Sequence, residues 1–107
     1  MLFPHFSPAA PTAPPANLTV TSVTSRTATL SWDPPPHEGQ NGIIQQYVLT
    51  VNRIDTRYFM ELTTTSTQLT VGSLSPYRTY LFSVAAKTTR LGPFSMEERI
   101  QLQEDGS

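Results

Sequence analysis

Apolar residues recur at every second position through most of this chain, and that period constrains its fold more than any other feature. Successive side chains of a strand point to opposite faces, so a strand with one buried face carries apolar residues at alternate positions. Leu18 and Val20 alternate with Thr19 and Thr21, and Ala28, Leu30 and Trp32 with Thr27, Thr29 and Ser31. Tyr47, Leu49 and Val51 alternate with Gln46, Thr50 and Asn52, and Leu69 and Val71 with Gln68 and Thr70. Tyr80, Phe82, Val84 and Ala86 keep the period among more mixed neighbours. Weaker strands near 59–62 and 100–102 bring the expected number to seven. Between them lie breakers: Asp33-Pro34-Pro35-Pro36, the stretch from Gly39 to Gly42, Gly72-Ser73, Ser75-Pro76 and Gly92-Pro93. Seven short strands so punctuated predict an all-β fold, a seven-stranded antiparallel sandwich. The 16 threonines, 10 serines and 6 valines, against a single lysine, favour strands over helices in the same sense.

The 107 residues suit one domain. Five of the ten prolines lie within the first fifteen residues, which predicts a Pro-rich linker over 1–15, a folded domain over 16–102 and an acidic polar tail over 103–107. Seven basic against eight acidic residues leave a net charge of −1, with no surplus of cations to neutralise a phosphate backbone, so nucleic acid is not an expected partner. No apolar run approaches the roughly 20 residues of a membrane-spanning helix, so no membrane contact by this segment is expected. The start Met1-Leu2-Phe3-Pro4 lacks the layout of a secretory signal, which a longer parent chain can supply. With no cysteine, thiols say nothing of the compartment.

From about Pro15 to Leu102 the residues resemble the fibronectin type III family. The resemblance rests on Trp32 followed by Pro34 and Pro35, on Gly42, Ile44, Tyr47, Leu49 and Val51, and on Leu69, Val71, Leu74, Pro76 and Tyr80. It continues through Phe82, Val84 and Ala86 to Gly92 and Ser95. It implies an immunoglobulin-like Greek-key sandwich. It also implies an extracellular, non-enzymatic binding or spacing module, most similar to those of tandem arrays in adhesion receptors and receptor-type tyrosine phosphatases. Trp32, as the largest apolar body, is expected between the sheets, and Tyr47 and Leu74 are expected among the core residues. Tyr80 resembles the tyrosine corner of such sandwiches, its hydroxyl bonded to upstream backbone, with Pro76 presetting the turn. One residue departs from the pattern: Glu98 falls in phase with Ile100 and Leu102, and a bulge near Glu97 would resolve the register.

Catalytic groups are sparse. His5 sits in the Pro-rich stretch and His37 in the Pro-Gly loop, so neither is on a rigid element that would orient a base or a ligand. No nucleophile elbow or phosphate loop occurs. A strand would send Glu97 and Glu98, or Glu104 and Asp105, to opposite faces. No enzymatic activity, cofactor or metal is expected. Asn17-Leu18-Thr19 is an N-glycosylation sequon whose asparagine, out of phase with Leu18 and Val20, should face solvent.

Seven antiparallel strands contain six reversals, so the chain should arrive at one pole and leave from the other, as in a module threaded in series. The loops 34–41, 63–66 and 87–92 should share the pole of the leader, with Arg90 and Leu91 at a loop tip as the most adhesive pair. Arg26, Arg53, Arg57 and Arg78 should converge at the opposite pole around Asp55, facing either Glu104-Asp105 or an anionic partner such as a sulfated glycan. The expected partners are thus neighbouring modules of the same chain and a protein or sulfated-glycan ligand, the isolated domain being a monomer. The competing functions are an intracellular structural module of a muscle or cytoskeletal protein, and a spacer beside the catalytic domain of a secreted hydrolase. The sequence contains neither Arg-Gly-Asp nor a Trp-Ser-x-Trp-Ser run.

Overall fold

A computed structural model describes residues 10–55, 57 and 59–102. The strands are β1 (Ala16–Val23), β2 (Ala28–Asp33), β3 (Gln46–Arg53), β4 (Phe59–Thr64), β5 (Gln68–Val71), β6 (Thr79–Lys87), β7 (Leu91–Phe94) and β8 (Glu98–Gln101). A 3-10 turn, His37–Gly39, interrupts the long β2–β3 connection. One sheet has the order β1-β2-β5; the other runs β4-β3-β6-β7, with β8 also on β6, and every pairing is antiparallel.

The alternation of the sequence becomes the inner faces of these two sheets. Ala28, Leu30 and Trp32 from β2, Tyr47, Leu49 and Val51 from β3, and Tyr80, Phe82, Val84 and Ala86 from β6 form one buried cluster with Val71, Leu74 and Leu102. The Trp32 and Tyr47 rings meet edge to face, centroids 5.6 Å apart, a favoured aromatic geometry. The indole Nε1 of Trp32 is buried with no hydrogen-bond partner among the described residues. The Tyr80 hydroxyl accepts the backbone N–H of Ser75 at 2.9 Å, pinning the turn that holds Pro76 to β6. On the outward face of the larger sheet, the Thr50 and Ser83 hydroxyls pair at 2.7 Å.

The two-sheet sandwich agrees with the sequence, but the last strand differs from expectation. Instead of one strand near 100–102, two segments pair with β6, and Gly92-Pro93 lies inside β7 rather than between strands. Proline is tolerated there because β7 is an edge, where a missing N–H breaks no ladder bond. The interruption falls at 95–97. There the Ser95 N–H donates to the Val84 carbonyl at 2.8 Å, and its Oγ accepts the Val84 N–H at 3.1 Å, so a side chain substitutes for one rung of the ladder. Beyond it, Glu98 is opposite Phe82 and half-buried, and Ile100 is opposite Tyr80. The irregularity expected near Glu97 is therefore a break in the strand.

The Pro-rich stretch also behaves differently where it is described. Pro11 and Pro15 are buried, so residues 10–15 lie against the sandwich instead of leading away from it as a spacer. The Thr12 N–H donates to the Gly39 carbonyl at 2.9 Å, and the Asn41 side-chain amide donates to the Ala10 carbonyl at 3.2 Å. Two glycines make the contact close enough. A Cβ on Gly39 would stand 2.7 Å from the Ala13 Cβ, and one on Gly92 would stand 2.8 Å from the Pro11 Cβ and 3.0 Å from the Pro11 carbonyl oxygen.

Candidate interaction surface

Each reversal of an antiparallel sandwich brings its loop to one of two ends, and the ends differ in chemistry. At the leader's end lie the β2–β3 connection, the β4–β5 turn and the β6–β7 turn. The first and last of these touch: the Gln45 N–H donates to the Lys87 carbonyl at 2.8 Å, and Gly42 abuts the buried Thr88 side chain. The β4–β5 turn is tied instead to β2, through the Trp32 N–H and the Thr67 carbonyl at 3.0 Å. Arg90 is exposed on the β6–β7 turn. Leu91, expected at a loop tip, is the first residue of β7, opposite Lys87, and remains 44% exposed. This end is partly occupied by residues 10–13. The reading of the sequence missed that contact because it took Gly39 and Gly92 as breakers; small residues at both positions were the available signal.

At the other end, the β1–β2 turn carries Arg26, whose carbonyl accepts the Leu74 N–H at 3.0 Å and so joins that turn to the β5–β6 connection. Arg53 closes β3, Arg57 lies exposed in the β3–β4 turn, and Arg78 is exposed just before β6. Asp55 does more than sit among them. Arg53 donates through Nε to Oδ1 at 2.6 Å and through Nη2 to Oδ2 at 3.3 Å, and Arg78 Nη1 lies 3.4 Å from the same Oδ2. The hydrogen bond from Arg53 is the main reason the Asp55 carboxyl is held below the usual carboxylate range; the same bond raises the Arg53 guanidinium. One carboxylate thus holds two arginines in a fixed fork and cancels part of their charge. The exposed side chains of Ile54, Phe59 and Tyr77 occupy the same end of the molecule. Glu104 and Asp105, suggested as a docking segment for these arginines, lie outside the described residues, as does His5.

Asn17 is exposed in β1, at an irregularity of register, with a left-handed φ of 57°. Its side-chain amide donates to Asp33 Oδ2 at 2.8 Å, while Thr19 of the same sequon donates its hydroxyl to the Asn17 carbonyl. Among the described residues, no three of His, Cys, Asp and Glu gather where they would hold a metal ion, and no helix is long and apolar enough to cross a membrane. Burial in the core pushes the Tyr47 phenol above its usual value.

The family pattern described as fibronectin type III domain matches residues 13–100. The chain belongs to the fibronectin type III family. Human Roundabout homolog 2 (Homo sapiens) is 40% identical over 85 residues, covering 75% of this chain and 6% of that protein. Mouse (Mus musculus) receptor-type tyrosine-protein phosphatase F is 37% identical over 86 residues, covering 79% of the chain and 4% of that protein. The chain therefore spans less than a tenth of these relatives' length. Domains A168–A170 of titin superpose with a TM-score of 0.78 at 23% identity, covering 89% of this chain and 33% of that one, a likeness of fold. Fibronectin type III domains are in general non-catalytic, and this one presents two loop-bearing ends on a rigid sandwich, the arrangement on which recognition residues are usually carried.

Proposed function

We propose that this fibronectin type III domain is a non-catalytic interaction and spacing module in the extracellular region of a larger cell-surface receptor or adhesion protein. The observation that carries the reading is that the whole fold corresponds to a small fraction of long relatives, one of them named a receptor-type phosphatase. The path of the chain agrees with it: residues 10–15 arrive at one end, and Leu102 leaves at the other, its N–H bonded to the Arg78 carbonyl at 2.9 Å. The domain extends upstream of residue 16 to include the packed residues 10–15. Arg90 and Leu91, next to the arriving chain, meet the preceding module. Arg26, Arg53, Arg57 and Arg78 form the surface for an anionic ligand of the sulfated-glycan kind, with Phe59 and Tyr77 beside it as apolar contacts. Asn17 carries a glycan when the chain passes through the secretory pathway. The dilute domain is a monomer and needs no cofactor.

An antibody against the folded domain should label intact cells that express the parent protein; labelling that requires permeabilisation would overturn the extracellular assignment. The glycan surface has its own test in retention on immobilised heparin. Alanine at Arg53, Arg57 or Arg78 should lower the eluting salt, and Asp55→Ala should raise it, because removing the carboxylate releases the charge of two arginines. Equal elution of all four variants and the parent would leave the arginines without a ligand role.

A further inference from the structure

The two sheets have four free edges, and three of them are blocked. A free edge offers a row of unpaired N–H and C=O groups to any other strand, and natural sheets prevent this with bulges, prolines, charges or brevity. β1 carries two register shifts and the left-handed Asn17. β5 has only four residues. The β7/β8 edge contains Pro93, breaks at 95–97 and is covered at Gly92 by Pro11. Among the described residues β4 has none of these devices. Its six residues pair with β3 in unbroken register from Phe59 to Thr64, with no proline and a single charge, Glu61.

The backbone groups of β4 that are free can be derived from its neighbours. The Ile54 N–H donates to the Thr79 carbonyl, which continues the β3–β6 register. Hydrogen-bonded residues alternate in an antiparallel ladder, so Val48, Thr50 and Asn52 turn their backbone groups to β6, and Tyr47, Leu49 and Val51 turn theirs to β4. The Ser95 bonds to Val84, on the far side of β6, keep the same phase. Thr64, Leu62 and Met60, opposite Tyr47, Leu49 and Val51, are therefore satisfied by β3. Phe59, Glu61 and Thr63 point their N–H and C=O groups off the edge.

We infer that this edge pairs with the β4 edge of a second copy of the chain, antiparallel about a two-fold axis, joining two sandwiches through one continuous sheet. The side-chain pattern selects the register. Directly opposed residues share a face, so the axis must pass through a residue. An axis at Glu61 would oppose two carboxylates, which destabilises a ladder. An axis at Leu62 opposes Leu62 to its own copy, Glu61 to Thr63, and Met60 to Thr64, with no like charges facing. It also covers the half-buried Met60 and Leu62, which one sandwich alone leaves partly open. The surface is small, so the pairing is weak for a free domain and effective where many copies are held at high local concentration.

Sedimentation velocity of the 107-residue chain should show the weight-average mass rising toward that of a dimer between about 10 μM and about 1 mM, the range expected for so small an interface. Thr63→Pro removes only a free N–H and should hold the mass at the monomer value with the β-sheet circular dichroism intact. Thr63→Glu, which places like charges opposite Glu61 of the second copy, should do the same without touching the backbone. Adding Glu61→Lys to Thr63→Glu converts those clashes to attractions and should restore the dimer. A chain that stays monomeric throughout the range overturns the inference, as does a dimer that persists with Thr63→Glu. Failure of the double variant to restore association overturns the register.

Discussion

Two aromatic residues anchor the core in different ways. Trp32 fills the space between the sheets against Tyr47, and truncation leaves a cavity that flanking strands, tied to their own ladders, cannot close. Trp32→Ala should cost about 3–5 kcal/mol in urea unfolding, a large share of the stability of a small domain. Trp32→Phe should cost less than its lost volume implies, because the phenylalanine removes an indole N–H that has no partner among the described residues. Tyr80 acts through one atom. Its ring is buried with Phe82, and its hydroxyl is the acceptor for the Ser75 N–H. Tyr80→Phe keeps the ring and leaves that N–H without its partner, for an expected loss of about 1–2 kcal/mol in the same experiment.

Among the elements, the stretch from residue 10 to residue 15 is the one whose role changed most between sequence and structure. It closes the side of the sandwich at Gly39 and Gly92, so its stability contribution should depend on those glycines. Gly92→Ala forces a Cβ into Pro11 and should destabilise by about 1–3 kcal/mol, the usual scale of overpacking. The same substitution in a chain lacking residues 1–12 should cost much less, and a double-mutant cycle on thermal unfolding measures the difference. Equal costs with and without the leader would mean that the contact contributes nothing. The last strand makes a related point: Ser95 carries a ladder bond in place of backbone, so Ser95→Ala should speed hydrogen exchange at Val84 while sparing Leu49, which lies opposite Val84 but turns its own backbone groups to Leu62 of β4.

For the molecule as a whole, Asp55 is the junction through which pH reaches the surface. Its folded carboxyl titrates below the value of the unfolded chain, so the stability it contributes is fully present above about pH 4 and is lost as pH falls through the lowered folded value. Asp55→Asn should flatten that acid limb of the unfolding curve. The contribution is small because the group is exposed and water screens it. The acid limb should also change ligand affinity: protonating Asp55 frees Arg53 and Arg78, so heparin retention of the parent domain should rise toward that of Asp55→Ala only as pH falls below about 4, over the range in which the domain stays folded. Retention that falls with acidity would count against the arginine surface.

The period of two in Ala28-Leu30-Trp32, Tyr47-Leu49-Val51 and Tyr80 to Ala86 was enough to place the strands and the residues of the core, because a strand with one buried face has no other way to satisfy both water and its neighbours. Counting reversals was likewise enough to put Arg26, Arg53 and Arg78 at one end, since antiparallel order alone decides which loops share a pole. The sequence could not show which of those arginines share Asp55, that Gly39 and Gly92 receive the leader, or that among the described residues β4 alone of the edges carries no block. Each depends on contacts between segments distant in the chain, where a difference of an ångström separates a bond from a gap, and local patterns carry no information at that range.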